Sequence, residues 1–274
     1  PLPTLRRVTS AGAPVPPEVV GRIRALLPEQ AQFWTPYGAT ECLPVAVIEG
    51  RELQETRAAT EAGAGTCVGR PVPPNQVRII AIDDAPIDEW SGVRELPAGQ
   101  VGEITVAGPT ATDSYFNREA ATRAAKIRET LADGRERIVH RMGDVGYFDG
   151  EGRLWFCGRK TQRVEAADGP LYTEQVEPVF NVHPQVRRTA LVGVGEVGRQ
   201  LPVLCVELAD GVPASEFARI ERELRALGKP HAAAARIDRF VRHPRFPVDI
   251  RHNAKIGREK LATWAATRTG ADNA

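Results

Sequence analysis

Residues 141–177 read RMGDVGYFDGEGRLWFCGRKTQRVEAADGPLYTEQVE, and this stretch decides how the rest of the chain is interpreted. The run GDVG predicts a glycine turn around Asp144, and DGEG at 149–152 predicts a second turn. The apolar residues 154–156 predict a short strand that leads to Arg159. An acid and a base are therefore expected at the two ends of one hairpin, directly before a polar connector that predicts a hinge.

The overall composition excludes several classes of protein. The chain has 274 residues and a formal net charge of +1, with no long run of one sign, so a general nucleic-acid or membrane-surface role has little electrostatic support. No apolar run approaches the roughly 20 residues that a membrane span needs. The cysteines are far apart, match no zinc spacing and predict reduced thiols in a cytoplasmic protein. They are Cys42, Cys67, Cys157 and Cys205.

The order of features in 141–177 resembles the adenylate-forming superfamily of acyl-CoA synthetases, luciferases and peptide-synthetase adenylation domains. The resemblance implies that Asp144 binds the ribose hydroxyls of a nucleotide and that Arg159 supports the same sugar. It places the hinge at Thr161, where the family usually has Asp or Lys, and a hinge residue needs only to absorb a change in backbone angles. Met142 stands where the family usually has threonine. The alternative for Asp144 is an aspartate that satisfies the backbone amides of a turn, and the alternative for Arg159 is a surface salt bridge.

A turn near the start of the chain resembles the adenine pocket of the same family. The sequence SAGAP at 10–14 separates a predicted strand at 5–9 from a predicted amphipathic helix at 18–27. Small residues at such a junction let a flat ring lie against the backbone. The pocket residues implied are Gly12, Ala13 and Pro14. Taken alone, SAGAP predicts only a turn.

The sequence YGATE at 37–41 resembles the family's Tyr-Gly-x-Thr-Glu signature. The resemblance implies that Tyr37 stacks near adenine, that Thr40 contacts the α-phosphate and that Glu41 binds Mg²⁺. Attack on the α-phosphate develops negative charge, which hydrogen-bond donors and a metal ion stabilise. The remaining nucleotide-binding residues of the segment are Gly38 and Ala39. The alternative is a tyrosine that anchors a turn next to a solvated Glu41.

A lysine near the end of the chain occupies the position of the family's last motif. In FPVDIRHNAKIGREKLA at 246–262, Lys255 follows Pro247 at the expected spacing, although Ala254 replaces the usual glycine. The resemblance implies that this lysine reaches the carboxylate and the α-phosphate during adenylation. An ammonium group on a flexible stem suits a reagent that enters a site only when a lid closes. The alternative is a surface lysine.

The hydrophobic patterns predict secondary structure between these motifs. Strands are expected at 76–82, 101–107, 153–156, 189–194, 203–208 and 237–241, and helices at 119–131, 173–180 and 214–227. Thr173 is the expected N-cap of the second helix. The match to GxGxxG at 193–198 is interpreted as a hairpin turn, because a second strand follows where a dinucleotide fingerprint requires a helix.

The fold class expected is α/β plus α+β. Residues 1–62 are predicted to complete a large N-terminal α/β domain, 63–160 to form its distorted β-barrel subdomain, and 162–274 to form a small, mobile C-terminal α+β lid. The family's phosphate-binding loop has no match in the chain. We therefore expect a C-terminal half of a longer enzyme, inactive by itself.

Two segments look most like the β-lactone synthetases of bacterial olefin biosynthesis: FWTPYGATECLPVA at 33–46 and residues 246–262. This resemblance implies ATP and Mg²⁺ as cofactors and a long-chain 2-alkyl-3-hydroxy fatty acid as substrate. AMP leaves as the lactone closes, and other enzymes of the same pathway are expected as partners. One alternative is an acyl-CoA ligase, for which pantetheine would pass the Asp168-Gly169 turn. Another is a module that only binds nucleotide or acts as a lid.

Overall fold

A computed structural model describes residues 2–12, 14–15, 17–249 and 252–269. The strands are β1 (Arg7–Thr9), β2 (Gln32–Ala39), β3 (Cys42–Glu49), β4 (Thr66–Pro71), β5 (Gln76–Ile80), β6 (Gly102–Ala107), β7 (Lys126–Thr130), β8 (Glu136–Phe148), β9 (Leu154–Arg159), β10 (Val164–Ala166), β11 (Gly169–Leu171), β12 (Val186–Val194), β13 (Leu201–Leu208), β14 (Arg239–Arg242), β15 (Val248–Asp249) and β16 (His252–Ile256). The helices are α1 (Pro17–Arg24), α2 (Gly50–Glu55), α3 (Arg57–Glu61), α4 (Glu119–Ala125), α5 (Thr173–Asn181), α6 (Phe217–Gly228) and α7 (Arg258–Thr269).

The chain divides into two compact units. The first comprises Pro1–Arg57 and Thr66–Lys160, and the second comprises Ala58–Gly65 and Thr161–Ala274. Mixed sheets with helices in both units confirm the α/β plus α+β class. The assignment of 1–62, 63–160 and 162–274 to functional domains stays a prediction.

The first unit is built on one nine-stranded sheet. Its strand order is β1-β2-β3-β4-β9-β8-β6-β5, and β7 pairs with β8. Strand β4 is the junction, because it pairs with β3 on one side and with β9 on the other. It thereby fixes the β2–β3 hairpin, which carries YGATE, relative to the β8–β9 hairpin, which carries Asp144 and Arg159. Side chains from both hairpins, including Cys42, Val45 and Leu154, meet in one buried cluster.

The predicted GDVG turn is wrong, because these residues lie inside the long strand β8. Between two paired positions, β6 has one residue where β8 has three, which are Met142, Gly143 and Asp144. Gly143 has a φ of +66°, a left-handed conformation that glycine adopts without steric cost. The feature is thus a β-bulge, which takes Asp144 out of the ladder with β6 while it still pairs with Arg159 on β9.

The helix predicted at 119–131 is also wrong in its second half. Helix α4 ends at Ala125, and the chain continues as strand β7, which pairs with β8 along its length. From Ile127 to Thr130 buried and exposed residues alternate, as in a strand with one covered face. Pairing in the sheet outweighs the helix propensity of this Ala- and Arg-rich segment.

The second unit is a three-stranded sheet with helices on both faces. Strands β12 and β13 are antiparallel, and β14 runs parallel to β13. Alternate residues of the sheet point to different helices: Leu191 and Leu204 pack with α5 and α6, whereas Val192 and Val203 pack with α7. The antiparallel β12–β13 connection confirms that the glycines at 193–198 form a hairpin. The N-cap prediction is wrong, because Tyr172 is the N-cap of α5 and offers no side-chain cap bond.

The cysteines and several strands match the predictions from the sequence. None of the four cysteines forms a disulfide, and all four are buried. None of the described helices has the length and hydrophobicity to cross a lipid bilayer. Strands β5, β6, β12 and β13 occupy their predicted segments to within three residues at each end.

A pair of glycine substitutions tests the junction strand β4. Gly69 and Gly134 both have left-handed backbone, with φ of +82° and +81°, but only Gly69 is crowded: an added Cβ would collide with the carbonyl oxygen of Val47. Gly134→Ala should cost only the backbone strain, about 1 to 2 kcal/mol. Gly69→Ala should lower the free energy of unfolding by more than about 3 kcal/mol, because β3 must also move. Urea unfolding measures both, and equal losses would contradict the junction role.

Candidate active site

Asp144 is held between Tyr37 and Arg159 in the first unit. Tyr37 Oη donates a hydrogen bond of 2.7 Å to Asp144 Oδ2. Arg159 Nη1 lies 3.1 Å from Asp144 Oδ1, at ion-pair distance but without hydrogen-bond alignment. Strand pairing brings Arg159 directly opposite Asp144, which confirms the predicted hairpin. The structure thus brings together three of the residues that the sequence predicts to bind nucleotide.

The electrostatics of this cluster favour the binding of hydroxyl groups. Burial raises the pKa of Asp144 to about 6, against the opposing effects of Arg159 and Tyr37. Burial and the neighbouring Asp144 carboxylate raise the pKa of Tyr37 well above its usual range, so its hydroxyl stays a donor. Asp144 Oδ1 is buried and has no hydrogen-bond partner among the described residues. An ionised carboxylate can accept hydrogen bonds from the hydroxyls of a sugar.

Glu41 lies in the two-residue loop between β2 and β3. Ala39 pairs with Cys42, so Thr40 and Glu41 form the tip of a tight hairpin. Tyr115 Oη donates a hydrogen bond of 2.8 Å to Glu41 Oε1, and the Thr112 amide donates one of 2.8 Å to the Glu41 carbonyl. The loop is thereby fastened to the segment that precedes α4.

The charge of Glu41 is stabilised by its neighbours. Although burial opposes the effect, the hydrogen bond from Tyr115 and the nearby Lys126 hold the pKa of Glu41 below its usual value. The buried Lys126 donates to both oxygens of Thr112, and burial lowers its own pKa. Burial and Lys126 lower the pKa of His140 to about 4, so this ring is neutral beside them. Glu41 is therefore a carboxylate over the whole physiological pH range.

This arrangement fits a cation that is shared with a phosphate. No group of three or more His, Cys, Asp or Glu side chains with metal-ligand geometry occurs among the described residues. Mg²⁺ commonly takes only one or two protein carboxylates and completes its shell with waters and substrate phosphates. The ionised, partly exposed Glu41 carboxylate meets that requirement.

Sequence reasoning missed Tyr115 and Lys126. Both are distant from Glu41 in the sequence. The isolated bridge that pairs Cys42 with Ala111 brings the two segments together. A tyrosine or lysine carries no signal by itself, so only the sheet pairing could have identified them.

Of the residues predicted to form the adenine pocket near the start of the chain, the structure describes Gly12 and Pro14. Gly12 lies at a bend three residues after the end of β1, has a φ of +103° and is exposed, as is Pro14. Ala13 lies outside the described residues. Strand β1 pairs in parallel with β2, so Gly12 leaves the sheet next to the strand that carries Tyr37. Gly38 and Ala39 end that strand, and the Gly38 Cα lies so close to Cys42 that a Cβ would meet its carbonyl oxygen at 2.5 Å.

The last two predicted residues lie in the second unit. Thr161 is in the 3₁₀ turn Lys160–Gln162, and Lys255 is exposed on β16, which pairs with β15. In the same unit, Arg236 holds the Asp168-Gly169 turn through an ion pair with Asp168 and a hydrogen bond of 2.6 Å to the Gly169 carbonyl. The catalytic role of Lys255 and the hinge role of Thr161 stay predictions.

Comparisons with known proteins show which proteins this chain is similar to. Residues 1–116 match the family described as AMP-binding enzyme. Proteins named olefin beta-lactone synthetase from Xanthomonas campestris pv. campestris and Stenotrophomonas maltophilia are 77% and 73% identical over 266 residues, which are 97% of this chain and 48% of each relative. The amide bond synthetase from Marinactinospora thermotolerans is similar in structure, with a TM-score of 0.68, 29% identity, and coverage of 95% of this chain and 47% of that one. The chain thus spans about half the length of the curated relatives it matches.

Replacement of Asp144 tests the raised pKa. Because its pKa of about 6 lies above the ordinary value of 3.8, the ionised form costs stability above pH 6 and that cost vanishes below about pH 4. Asp144→Asn should therefore raise the free energy of unfolding by up to about 3 kcal/mol at pH 8 and leave it unchanged at pH 4. Urea unfolding at both pH values measures this difference.

Asp149 provides a control of opposite sign. Although burial opposes the effect, hydrogen bonds from Trp155 and Arg153 lower the pKa of Asp149 to about 2. Its ionised form therefore stabilises the fold above pH 4, and that contribution is lost as the pH falls towards 2. Asp149→Asn should accordingly destabilise the protein at pH 8. A loss of stability at pH 8 in both variants would contradict the raised pKa of Asp144.

Proposed function

Because this chain belongs to the adenylate-forming, AMP-binding enzymes, we propose that it acts in the ATP-dependent conversion of a long-chain 2-alkyl-3-hydroxy fatty acid to a β-lactone. The observation that carries the proposal is the high identity to proteins named olefin beta-lactone synthetase, which extends over nearly the whole chain. Both the YGATE hairpin and the segment around Lys255 fall within the matched length. The whole reaction requires the natural-length protein.

The proposed reaction has two balanced steps. In the first, a carboxylate oxygen of the acid attacks the α-phosphorus of ATP; the acyl-AMP forms and pyrophosphate leaves. In the second, the substrate's own 3-hydroxyl oxygen attacks the activated carbonyl carbon, its proton passes to solvent, and AMP leaves with the bonding electrons. The four-membered ring closes without CoA, because the nucleophile is held within the same molecule.

The residues of the first unit would hold the nucleotide. Asp144 would accept hydrogen bonds from the ribose hydroxyls, a role that suits a carboxylate with a pKa of about 6, which is ionised at neutral pH. Arg159 would support the same sugar, and Tyr37 would stack near the adenine. The segment that contains Gly12, Ala13, Pro14, Gly38 and Ala39 would line the rest of the adenine site.

Thr40, Glu41 and Lys255 would act at the phosphate. Thr40 is exposed at the hairpin tip, where its hydroxyl can donate to the α-phosphate. Glu41 would hold Mg²⁺, which when bound supplies positive charge to the phosphate oxygens. Lys255 would neutralise the charge that develops between carboxylate and α-phosphate once the second unit turns at Thr161.

We also propose a location and a setting for the protein. Four buried, reduced cysteines favour the cytoplasm. A strained β-lactone ring is reactive, so an enzyme that consumes it is the partner we expect. Nucleic acid is not a proposed partner, since the net charge is only +1.

Product analysis distinguishes the proposal from thioester formation. The natural-length protein is incubated with ATP, Mg²⁺ and a racemic 2-alkyl-3-hydroxy fatty acid, with and without CoA, and products are identified by proton NMR. We expect a β-lactone and AMP in both mixtures. A thioester that appears only with CoA would establish an acyl-CoA ligase instead. Nucleotide binding without release of AMP would leave only a binding or lid module.

Lys255→Ala tests the lysine against a neighbour of the same kind. Lys255 and Lys260 are both exposed and five positions apart. Lys255→Ala should slow adenylate formation by about 100-fold or more, because one donor to the developing charge is lost. AMP affinity, measured by calorimetry, should stay within about twofold, since the ribose contacts are in the first unit. Lys260→Ala should behave as wild type; equal losses in both variants would refute the assignment.

A further inference from the structure

A buried ion pair lies three residues after Lys255. Arg258 opens helix α7, and its guanidinium makes two bonds to Glu177 on α5, of 2.5 Å from Nη1 to Oε1 and 3.0 Å from Nη2 to Oε2. The two side chains are only 15% and 8% exposed. Such a fork-to-carboxylate pair fixes both direction and distance, which a lysine would not.

The pair is built into the sheet of the second unit. Glu177 Oε1 also accepts a hydrogen bond of 2.8 Å from the Leu191 amide, and Arg258 Nη1 donates one of 3.2 Å to the Leu191 carbonyl. Strand β12 is therefore bonded to both members of the pair. Because a buried ion pair contributes little net stability compared with apolar side chains, its value here is the position it fixes.

The same arginine holds a residue of the predicted hinge. Its third guanidinium nitrogen, Nε, donates a hydrogen bond of 3.1 Å to Gln162 Oε1. Gln162 immediately follows Thr161. One side chain thus bonds to the hinge segment, to α5 and to β12.

The segment that carries Lys255 is fastened at both ends to buried groups. At its start, the Phe246 amide donates a hydrogen bond of 2.7 Å to Glu207, which is buried on β13. At its end, Arg258 is held by Glu177, and the Gly257 amide closes the base with a bond of 2.8 Å to the Pro247 carbonyl. Lys255 is exposed on the strand that leaves this fixed base.

We infer that Arg258 is a positioning residue that holds Lys255 and Gln162, the residue after the proposed hinge, on one rigid base formed by α5 and β12. The inference rests on the proposed function, because the roles of Lys255 and Thr161 belong to it. Arg258 touches neither nucleotide nor acid in this scheme. It makes the hinge and the lysine move as one body, so that rotation at Thr161 delivers the ammonium to a defined place.

Hydrogen exchange tests the rigid base without any assay of activity. Arg258→Lys keeps a positive charge opposite Glu177, which protects the fold, but loses the fork and the bond to Gln162. We expect about tenfold faster exchange both at Gly257 and in residues 161–165, with no change at Val203 and Cys205 of β13. Arg219→Lys is the matched control, because Arg219 pairs with Glu216, which directly precedes α6, and with Glu223 on α6, and its replacement should leave all these amides unchanged.

Gln162→Ala isolates the hinge bond. It should speed exchange in residues 161–165 and leave Gly257 as in wild type, because Glu177 still holds Arg258. Faster exchange at β13 in Arg258→Lys would show a general structural role and overturn the inference. Unchanged exchange at either Gly257 or residues 161–165 in that variant would overturn it as well.

A double-mutant cycle with Lys255 adds a catalytic test. Arg258→Lys should lower kcat for adenylate formation by about tenfold and leave KM for ATP within about twofold. In a Lys255→Ala background, the same substitution should have no further effect, because Arg258 acts through that lysine. Losses that multiply would overturn the inference. If the wild-type protein forms no adenylate, the proposed function fails, while the exchange measurements still decide the role of Arg258.

Discussion

The buried carboxylate of Asp144 is the constraint on which the first unit depends. An ionised group can be buried only if charge and hydrogen bonds are supplied to it, and here Arg159 and Tyr37 supply them from two different hairpins. Strand β4 must join those hairpins for this to happen. The bulge at Gly143 must also release Asp144 from the ladder with β6. The sheet is thus arranged so that one acid can face two partners.

The compensation for the burial of Asp144 is incomplete. Burial still raises the pKa of Asp144, and one of its buried oxygens has no hydrogen bond among the described residues. A group placed only for stability would have its acceptors filled. Glu41 differs, because Tyr115 and Lys126 hold it in its charged form. The two carboxylates thus lie in different electrostatic environments, as their proposed roles with ribose hydroxyls and with Mg²⁺ require.

Local pattern and motif order predicted much of this arrangement. The pairing of Asp144 with Arg159 followed from the turn at 149–152 and the short strand after it, although the turn predicted at GDVG is absent. The glycine-rich hairpin of the second unit followed from the strand after it. The bulge at Gly143 could not be predicted, because a turn and a bulge use the same residues and differ only in what pairs alongside. Strand β7 was missed for the same reason, since its neighbour β8 decides its conformation. Tyr115 and Lys126 reach Glu41 only through long-range sheet contacts, which no local sequence signal reports.

Arg258 shows why the second unit needs buried charge at all. In the role proposed for it, Lys255 enters a site and leaves it again and so has to be exposed, and an exposed hairpin has little packing of its own to define where the ammonium goes. The position of the ammonium must then be fixed at the base of the hairpin. Apolar packing at that base would be stable but would tolerate small rotations, whereas a fork of hydrogen bonds to Glu177 and the Leu191 carbonyl does not. In the proposed mechanism only the side chain of Lys255 is flexible, and Arg258, three residues away, fixes the position of the backbone that carries it.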